Sequence, residues 1–255
     1  TSPLYRSTRA RLAQHLPQAL ASQLEILSYM LVGIVQSMSS QLAKIARAMP
    51  LATAAQSKEQ RLRRLLDNER LTQTSHYHPV VQQALQGLRG QRVQLLIDRV
   101  LLRNQHTILV VSVGFRRRSI PLVWQALPHR GSSHPREQQA LIQQAVALLP
   151  SGVRISVHGE SEFRSPELYT WLREQGYDAM LGMRGPIGVS ASAEPHADGR
   201  PLADRVTALP PQPATGRKRR QRAAPVTSLA QVYLGQEQHY GPVNVIAWRE
   251  RDPPV

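Results

Sequence analysis

Two carboxylates carry the chemical interest of this chain. Asp98 follows the apolar run Val93-Gln94-Leu95-Leu96-Ile97, and Glu160 follows Val153-Arg154-Ile155-Ser156-Val157-His158-Gly159. Both runs alternate, so Val and Ile fall on one face of a half-buried strand and the closing acid falls on the other. Acids at the ends of two strands form a cradle for a hard divalent cation, because Mg²⁺ takes oxygen ligands in octahedral array. The surrounding chain is cationic, with 32 Lys plus Arg against 17 Asp plus Glu and a net charge of +15. Such a surface attracts polyanions, nucleic acid first and anionic membrane second. Acids that could hold a cation within so basic a chain point to a polynucleotide substrate.

Three basic runs are candidate phosphate contacts. In Arg61-Leu62-Arg63-Arg64-Leu65-Leu66 the arginines give one helical face a positive charge; the plainer reading is a solvated face. Arg116, Arg117 and Arg118 stand between two strands, either as a solvated turn or as contacts to DNA phosphates near the metal ions. Arg217-Lys218-Arg219-Arg220 adds non-specific, salt-sensitive DNA affinity even if it is solvated in the free protein. Glu162 is read as a turn or capping residue that could replace Glu160 if the strand end shifted. His76 and His78 lie in His-Tyr-His-Pro, which reads as a loop rather than a metal pair. Trp124 and Trp171 are read as core, and Trp248 as core or as a base contact.

The elements that must position these residues divide the chain at about 88 and 184. Residues 1–88 read as helical: Leu24, Leu27, Leu31, Ile34 and Val35 follow helical spacing. Ser39 or Ser40 is expected to cap a helix through Ile45 that Pro50 stops, and Ser57 to open the next. Residues 89–184 give three short strands, an antiparallel meander with Pro121 at an edge or bulge. A helix from about 135 to 149, the Glu160 strand, a helix opened by Ser165-Pro166-Glu167 and stopped at Gly176, and a short strand from Asp178 follow. Residues 185–228, rich in Pro, Ala and Gly, read as a loop or partly disordered insertion. Strands resume at Gln231 and Val243, as a hairpin across Tyr240-Gly241-Pro242.

The chain contains no cysteine, which excludes disulfides and Cys-ligated zinc. The apolar stretch from Leu24 to Met38 is too short and polar for a bilayer span, so a cytoplasmic, nucleoid-associated protein without a membrane partner is expected. Beginning at Thr1 and ending in Asp252-Pro253-Pro254-Val255, the chain reads as a fragment.

Taken in order, these words resemble a known family. Leu95-Leu96-Ile97-Asp98, the segment Val111 to Trp124 with its Pro121-Leu122-Val123-Trp124 ending, and His158-Gly159-Glu160-Ser161-Glu162-Phe163 with the helix to Gly176 are similar to insertion-sequence DDE transposases of the IS-four type. Arg61 to Asn68 resembles the basic helix upstream of their catalytic core. The resemblance implies an α/β fold: a ribonuclease H-like mixed sheet, three antiparallel strands and then parallel strands with helices, preceded by a helical N-terminal region. It further implies residues 1–88 as a DNA-binding region, 89–184 as the first part of the catalytic core and 185–255 as a basic insertion with terminal strands. Asp98 and Glu160 would be catalytic and metal-binding, with Mg²⁺ or Mn²⁺ promoting in-line displacement at phosphorus. The partners would be double-stranded DNA, as element terminal repeats and target, and further copies of the chain in a homo-oligomer.

Two departures qualify that expectation. The family's second acid is aspartate, where this chain has Glu160, and its third, a glutamate on a helix, has no counterpart after Val226; Glu237 and Glu250 fall in or beside strands. A truncated, catalytically impaired transposase is therefore expected. A DNA-binding remnant that inhibits a full-length enzyme and a nuclease of the same fold are the rival readings.

Overall fold

The computed structural model describes residues 2–103, 105–183, 187–190, 200–202, 204, 208, 226–235 and 240–248. The chain is mixed α/β, with a helical N-terminal region, a five-stranded mixed sheet with helices, and a four-stranded sheet. It divides into two compact units, Thr1–His158 and Gly159–Val255.

In the first unit, α1 (Pro3–His15), α2 (Ala21–Ser37), α3 (Leu42–Ala48), α4 (Ala55–Leu66) and α5 (His78–Leu85) precede the sheet. Tyr5, Tyr29, Val32, Ile45, Ala46, Met49 and Leu62 form one apolar cluster, with the Tyr5 and Tyr29 rings stacked at 4.2 Å. Gly33 permits the close approach of α2 to α3, because a Cβ there would lie 2.8 Å from both Ile45 Cγ2 and the Ile45 carbonyl. The caps differ from expectation. Gln41 and Ala54, not the serines, occupy the N-cap positions of α3 and α4. The earlier start of α4 puts Lys58 in its first turns, where the buried ammonium donates to the Met49 carbonyl (2.9 Å) at the end of α3. Among the described residues no single helix is long and apolar enough to cross a membrane.

Strands β1 (Arg92–Leu102), β2 (His106–Phe115) and β3 (Arg118–Ala126) form the expected meander. With β4 (Arg154–Gly159) and β5 (Asp178–Leu181) the order is β3-β2-β1-β4-β5, resembling that of a ribonuclease H-like core. Pro121 sits in the edge strand beside a bulge between Val111 and Ser112, where a residue without an N–H is tolerated. A π turn, Gln73–Tyr77, covers that edge. Gln73 donates to the Trp124 carbonyl (2.8 Å) and accepts its N–H (3.3 Å), while the Tyr77 hydroxyl donates to the Pro121 carbonyl (2.6 Å). An edge so occupied is closed to strand addition. Helix α6 (Pro135–Val146) packs on β2 and β3 through buried Gln138, Leu141, Ile142 and Ala145.

In the second unit Ser165 caps α7 (Pro166–Glu174) as expected, its hydroxyl accepting the Leu168 N–H at 3.1 Å. Strands β6 (Gly188–Ser190), β7 (Arg200–Pro201), β8 (Val226–Leu234) and β9 (Tyr240–Trp248) form the sheet β7-β6-β8-β9 around Val189, Val232, Leu234 and Val245. The stretch read as a loop insertion thus contributes β6, β7 and the start of β8. The expected hairpin is present, but Tyr240-Gly241-Pro242 opens β9 instead of forming the turn, with Tyr240 opposite Leu234. Pro242 is accommodated because β9 is an edge strand. Helix α7 holds that end of β9: the Tyr169 hydroxyl donates to the Pro242 carbonyl and Arg173 to the Gly241 carbonyl, each at 3.1 Å.

Candidate functional site

On β1, Val93, Leu95 and Ile97 are buried and Asp98 is exposed on the opposite face, as the alternation requires. The strand does not end there. It continues to Leu102 because β2 keeps pairing as far as His106, so Asp98 stands within the strand, opposite Val110. The next strand brings Trp124 to the same row. Trp124 is not a core residue: it is 36% exposed and meets Tyr77 edge-on at 5.1 Å. Trp171 is likewise only half-buried, edge-on to Tyr177, and the Trp248 side chain lies outside the described residues. The Asp98 carboxylate is exposed, with one oxygen accepting the Arg99 N–H at 2.7 Å.

Glu160 does close its strand. It follows Gly159 and caps a short 3₁₀ turn, Ser161–Phe163, that holds Glu162 and ends in the fully buried Phe163. The strand is less half-buried than its alternation implied, since Ile155, Ser156 and Val157 are all buried. Beside the acid, the Gly182 N–H donates to the Gly159 carbonyl at 2.8 Å. A Cβ on Gly182 would lie 3.0 Å from the Ser161 nitrogen and 3.2 Å from the Glu160 carbonyl carbon. Asp98 belongs to the first unit and Glu160 to the second.

The basic candidates separate. On α4, Leu62 and Leu65 are buried while Arg61, Arg63 and Arg64 are exposed. Arg63 is engaged by Glu59 at 2.6 Å, one turn earlier. Arg61 and Arg64 line a shallow groove with Glu25, Tyr29 and Asn68. Arg116 and Arg117 form the two-residue tip of the β2–β3 hairpin, between the paired Phe115 and Arg118. Both tip residues have positive φ, 46° and 65°. That left-handed pair fits a type I′ turn, which ordinarily selects Asn-Gly. Arg116 lies over the Phe115 ring at 5.3 Å, and all three arginines border a shallow concavity floored by Gln94, Leu96 and Gly114. The tip is not beside Asp98: from Val110, opposite that acid, to Arg116 is roughly 20 Å of extended strand at ~3.4 Å per residue. Arg217, Lys218, Arg219 and Arg220 lie outside the described residues.

His76 and His78 belong to the π turn and to the first residue of α5, not to a loop. Burial lowers the pKa of both, and their Nε2 atoms have no hydrogen-bond partner. The groups that could share a metal ion among the described residues lie elsewhere. His129, His134 and Glu137 offer donor atoms within 4.8 Å of one another. His129 Nε2 is 2.9 and 3.2 Å from the two Glu137 oxygens, and the His134 N–H donates to Glu137 Oε2 at 2.7 Å. The local signal was available: His134 precedes Pro135, and Glu137 stands at the third helical position, where an acid reaches back to the cap's N–H. His129 joins them only through the fold of the β3–α6 connection.

The His129 pKa is raised, first by its hydrogen bond to Glu137 and then by that to the Arg130 carbonyl. For Glu137, burial pushes upward, but the His134 N–H and the His129 bond and charge leave the net pKa lowered. The raised histidine contributes stability that is full below its unfolded pKa of ~6.5 and lost as pH rises through the folded value. The lowered carboxyl contributes above its unfolded pKa and loses this as pH falls through the folded one. Glu137→Gln is expected to return the His129 titration toward ~6.5 in an NMR-monitored pH series. An unmoved His129 pKa would rule out the ion pair as its cause.

No protein-family model matches this chain, and no curated protein matches it.

Proposed function

We propose that the chain is a DNA-binding protein of the insertion-sequence DDE transposase class, with Asp98 and Glu160 supplying two of the carboxylates that hold Mg²⁺ or Mn²⁺. The observation that supports this most is the strand order β3-β2-β1-β4-β5 with an acid on β1 and another closing β4. Both acids are exposed and offer the hard oxygen donors such ions take. Ions held there would assist the attacking group and the leaving oxygen in displacement at a phosphodiester phosphorus. The chain's own part is to fix its carboxylates on strand backbone and to bind the duplex. Arg61 and Arg64 on α4 and the Arg116–Arg117 tip are its exposed cationic contacts.

Because the family's third acid has no counterpart after Val226 in the sequence, the chain alone is not expected to transfer a terminal-repeat oligonucleotide, and observed transfer would overturn that.

Two measurements test the wider proposal. Duplex affinity should fall steeply between low and physiological salt, because phosphate contacts release counterions. Mn²⁺ binding followed by electron paramagnetic resonance should weaken by about tenfold or more in Asp98→Ala. Affinity indifferent to salt would remove the DNA reading, and unchanged Mn²⁺ binding would remove Asp98 as a ligand.

A further inference from the structure

We propose that His129, His134 and Glu137 form a second metal site, specific for a borderline divalent ion of the Zn²⁺ class and independent of the two acids. Two imidazoles and a carboxylate are a donor set zinc accepts, with a fourth position left for water. Harder ions such as Mg²⁺ prefer all-oxygen shells and would not compete well here. The distances are close to what such an ion needs. Ligand atoms ~2.0–2.1 Å from a tetrahedral zinc lie roughly 3.3 Å from one another. His129 Nε2 and the Glu137 oxygens already stand 2.9 and 3.2 Å apart. The widest separation in the trio is within 4.8 Å, and the exposed His134 can close it by rotating its side chain.

The surrounding structure holds these donors in place. Gln138 is buried and donates to both the carbonyl (3.1 Å) and the hydroxyl (3.0 Å) of Ser133, which fixes the backbone entering His134. Arg99 donates to the Gly131 carbonyl at 3.0 Å and pins the middle of the connection to β1. The His129 and His134 rings lie 4.8 Å apart, tilted by 45°. A bound ion would replace the His129–Glu137 hydrogen bond with two coordinate bonds. It would tie the β3–α6 connection to the first turn of α6. The imidazoles must be neutral to coordinate, so uptake releases a proton wherever His129 is charged.

The test is titration of the full chain with Co²⁺ and then Zn²⁺. One equivalent of Co²⁺ should give the intense visible bands of a four-coordinate site, displaced by Zn²⁺. His134→Ala removes a ligand while leaving the His129–Glu137 hydrogen bond in place, and should weaken Zn²⁺ binding by roughly tenfold or more. His129→Ala should do the same, whereas His106→Ala, an exposed histidine on β2, should not. Asp98→Ala should leave the Zn²⁺ site intact, so loss of the Mn²⁺ site and loss of this one are read separately. Zn²⁺ affinity equal in the parent chain, His134→Ala and His129→Ala would overturn the proposal. So would Co²⁺ bands of the weak six-coordinate kind.

Discussion

Replacing Arg116-Arg117 with Asn-Gly is expected to stabilise the chain by about 1–2 kcal/mol while lowering its affinity for duplex DNA. The stability gain comes from the backbone. Residues with a Cβ in the left-handed region cost on the order of 1 kcal/mol or more each, and this two-residue hairpin places two arginines there in succession, at φ 46° and 65°. Asn-Gly is the pair that such a turn selects, and Phe115 and Arg118 would keep their pairing on either side. The affinity loss follows from charge. Each arginine that neutralises a phosphate contributes about 0.9 to the slope of log affinity against log salt, so the double variant should lower that slope by roughly 2. Affinity at low salt should fall by about tenfold or more. Chemical denaturation measures the first effect and fluorescence anisotropy with a labelled duplex the second. A more stable variant with unchanged affinity and slope would reduce the arginines to a solvated turn. A less stable variant would contradict the strain argument. The two readouts are expected to move in opposite directions, which general damage to the fold would not produce.

How far the sequence announced this arrangement varies with the physical range of the signal. Strand alternation is local, so β1, β2 and β3, the exposed side of Asp98 and the edge position of Pro121 were all legible. The Ser165 cap and the Gly176 stop were legible for the same reason, since each is set by its own few residues. Strand ends were less so. Asp98 looked terminal because the apolar run pauses there, but pairing with β2 carries β1 on to Leu102. Serine propensity named the wrong caps for α3 and α4, whose N-cap positions are Gln41 and Ala54, and the buried Lys58 contact to the Met49 carbonyl at that junction is a tertiary one that no local pattern announces. Trp124 was read as core; the register places it on the exposed row of Asp98, and Tyr77 reaches it from the π turn. The His129–His134–Glu137 group was half legible. Its helix-start pair is a local pattern, whereas its third member arrives through the folded connection. The arginine tip was visible as a basic turn, but its positive φ angles and its distance along β2 from Asp98 belong to the hairpin's geometry.

Gly182→Ala is expected to weaken Mn²⁺ binding at the proposed acid site, and Gly182→Val to weaken it further, by about tenfold to a hundredfold. Gly182 is not among the positive-φ glycines, so its backbone conformation accepts a side chain and only space is at issue. That space is already taken by the backbone that carries Glu160. A Cβ would stand 3.0 Å from the Ser161 nitrogen, 3.2 Å from the Glu160 carbonyl carbon and 3.3 Å from the Glu160 Cα. Backbone atoms cannot swing aside as a flexible side-chain end can. The Gly182 N–H is also bonded to the Gly159 carbonyl at 2.8 Å, so the two segments cannot separate without losing that bond. The relief therefore falls on residues 160 and 161, and it moves the carboxylate by some tenths of an ångström for alanine and more for the branched valine. Phe163, fully buried one turn on, resists the shift and concentrates it at the acid. Measured on folded protein, with the thermal transition checked in parallel, a graded loss of metal affinity from Gly to Ala to Val supports Glu160 as a ligand. Undiminished Mn²⁺ affinity in folded Gly182→Val would mean that the Glu160 carboxylate takes no part in holding the ion.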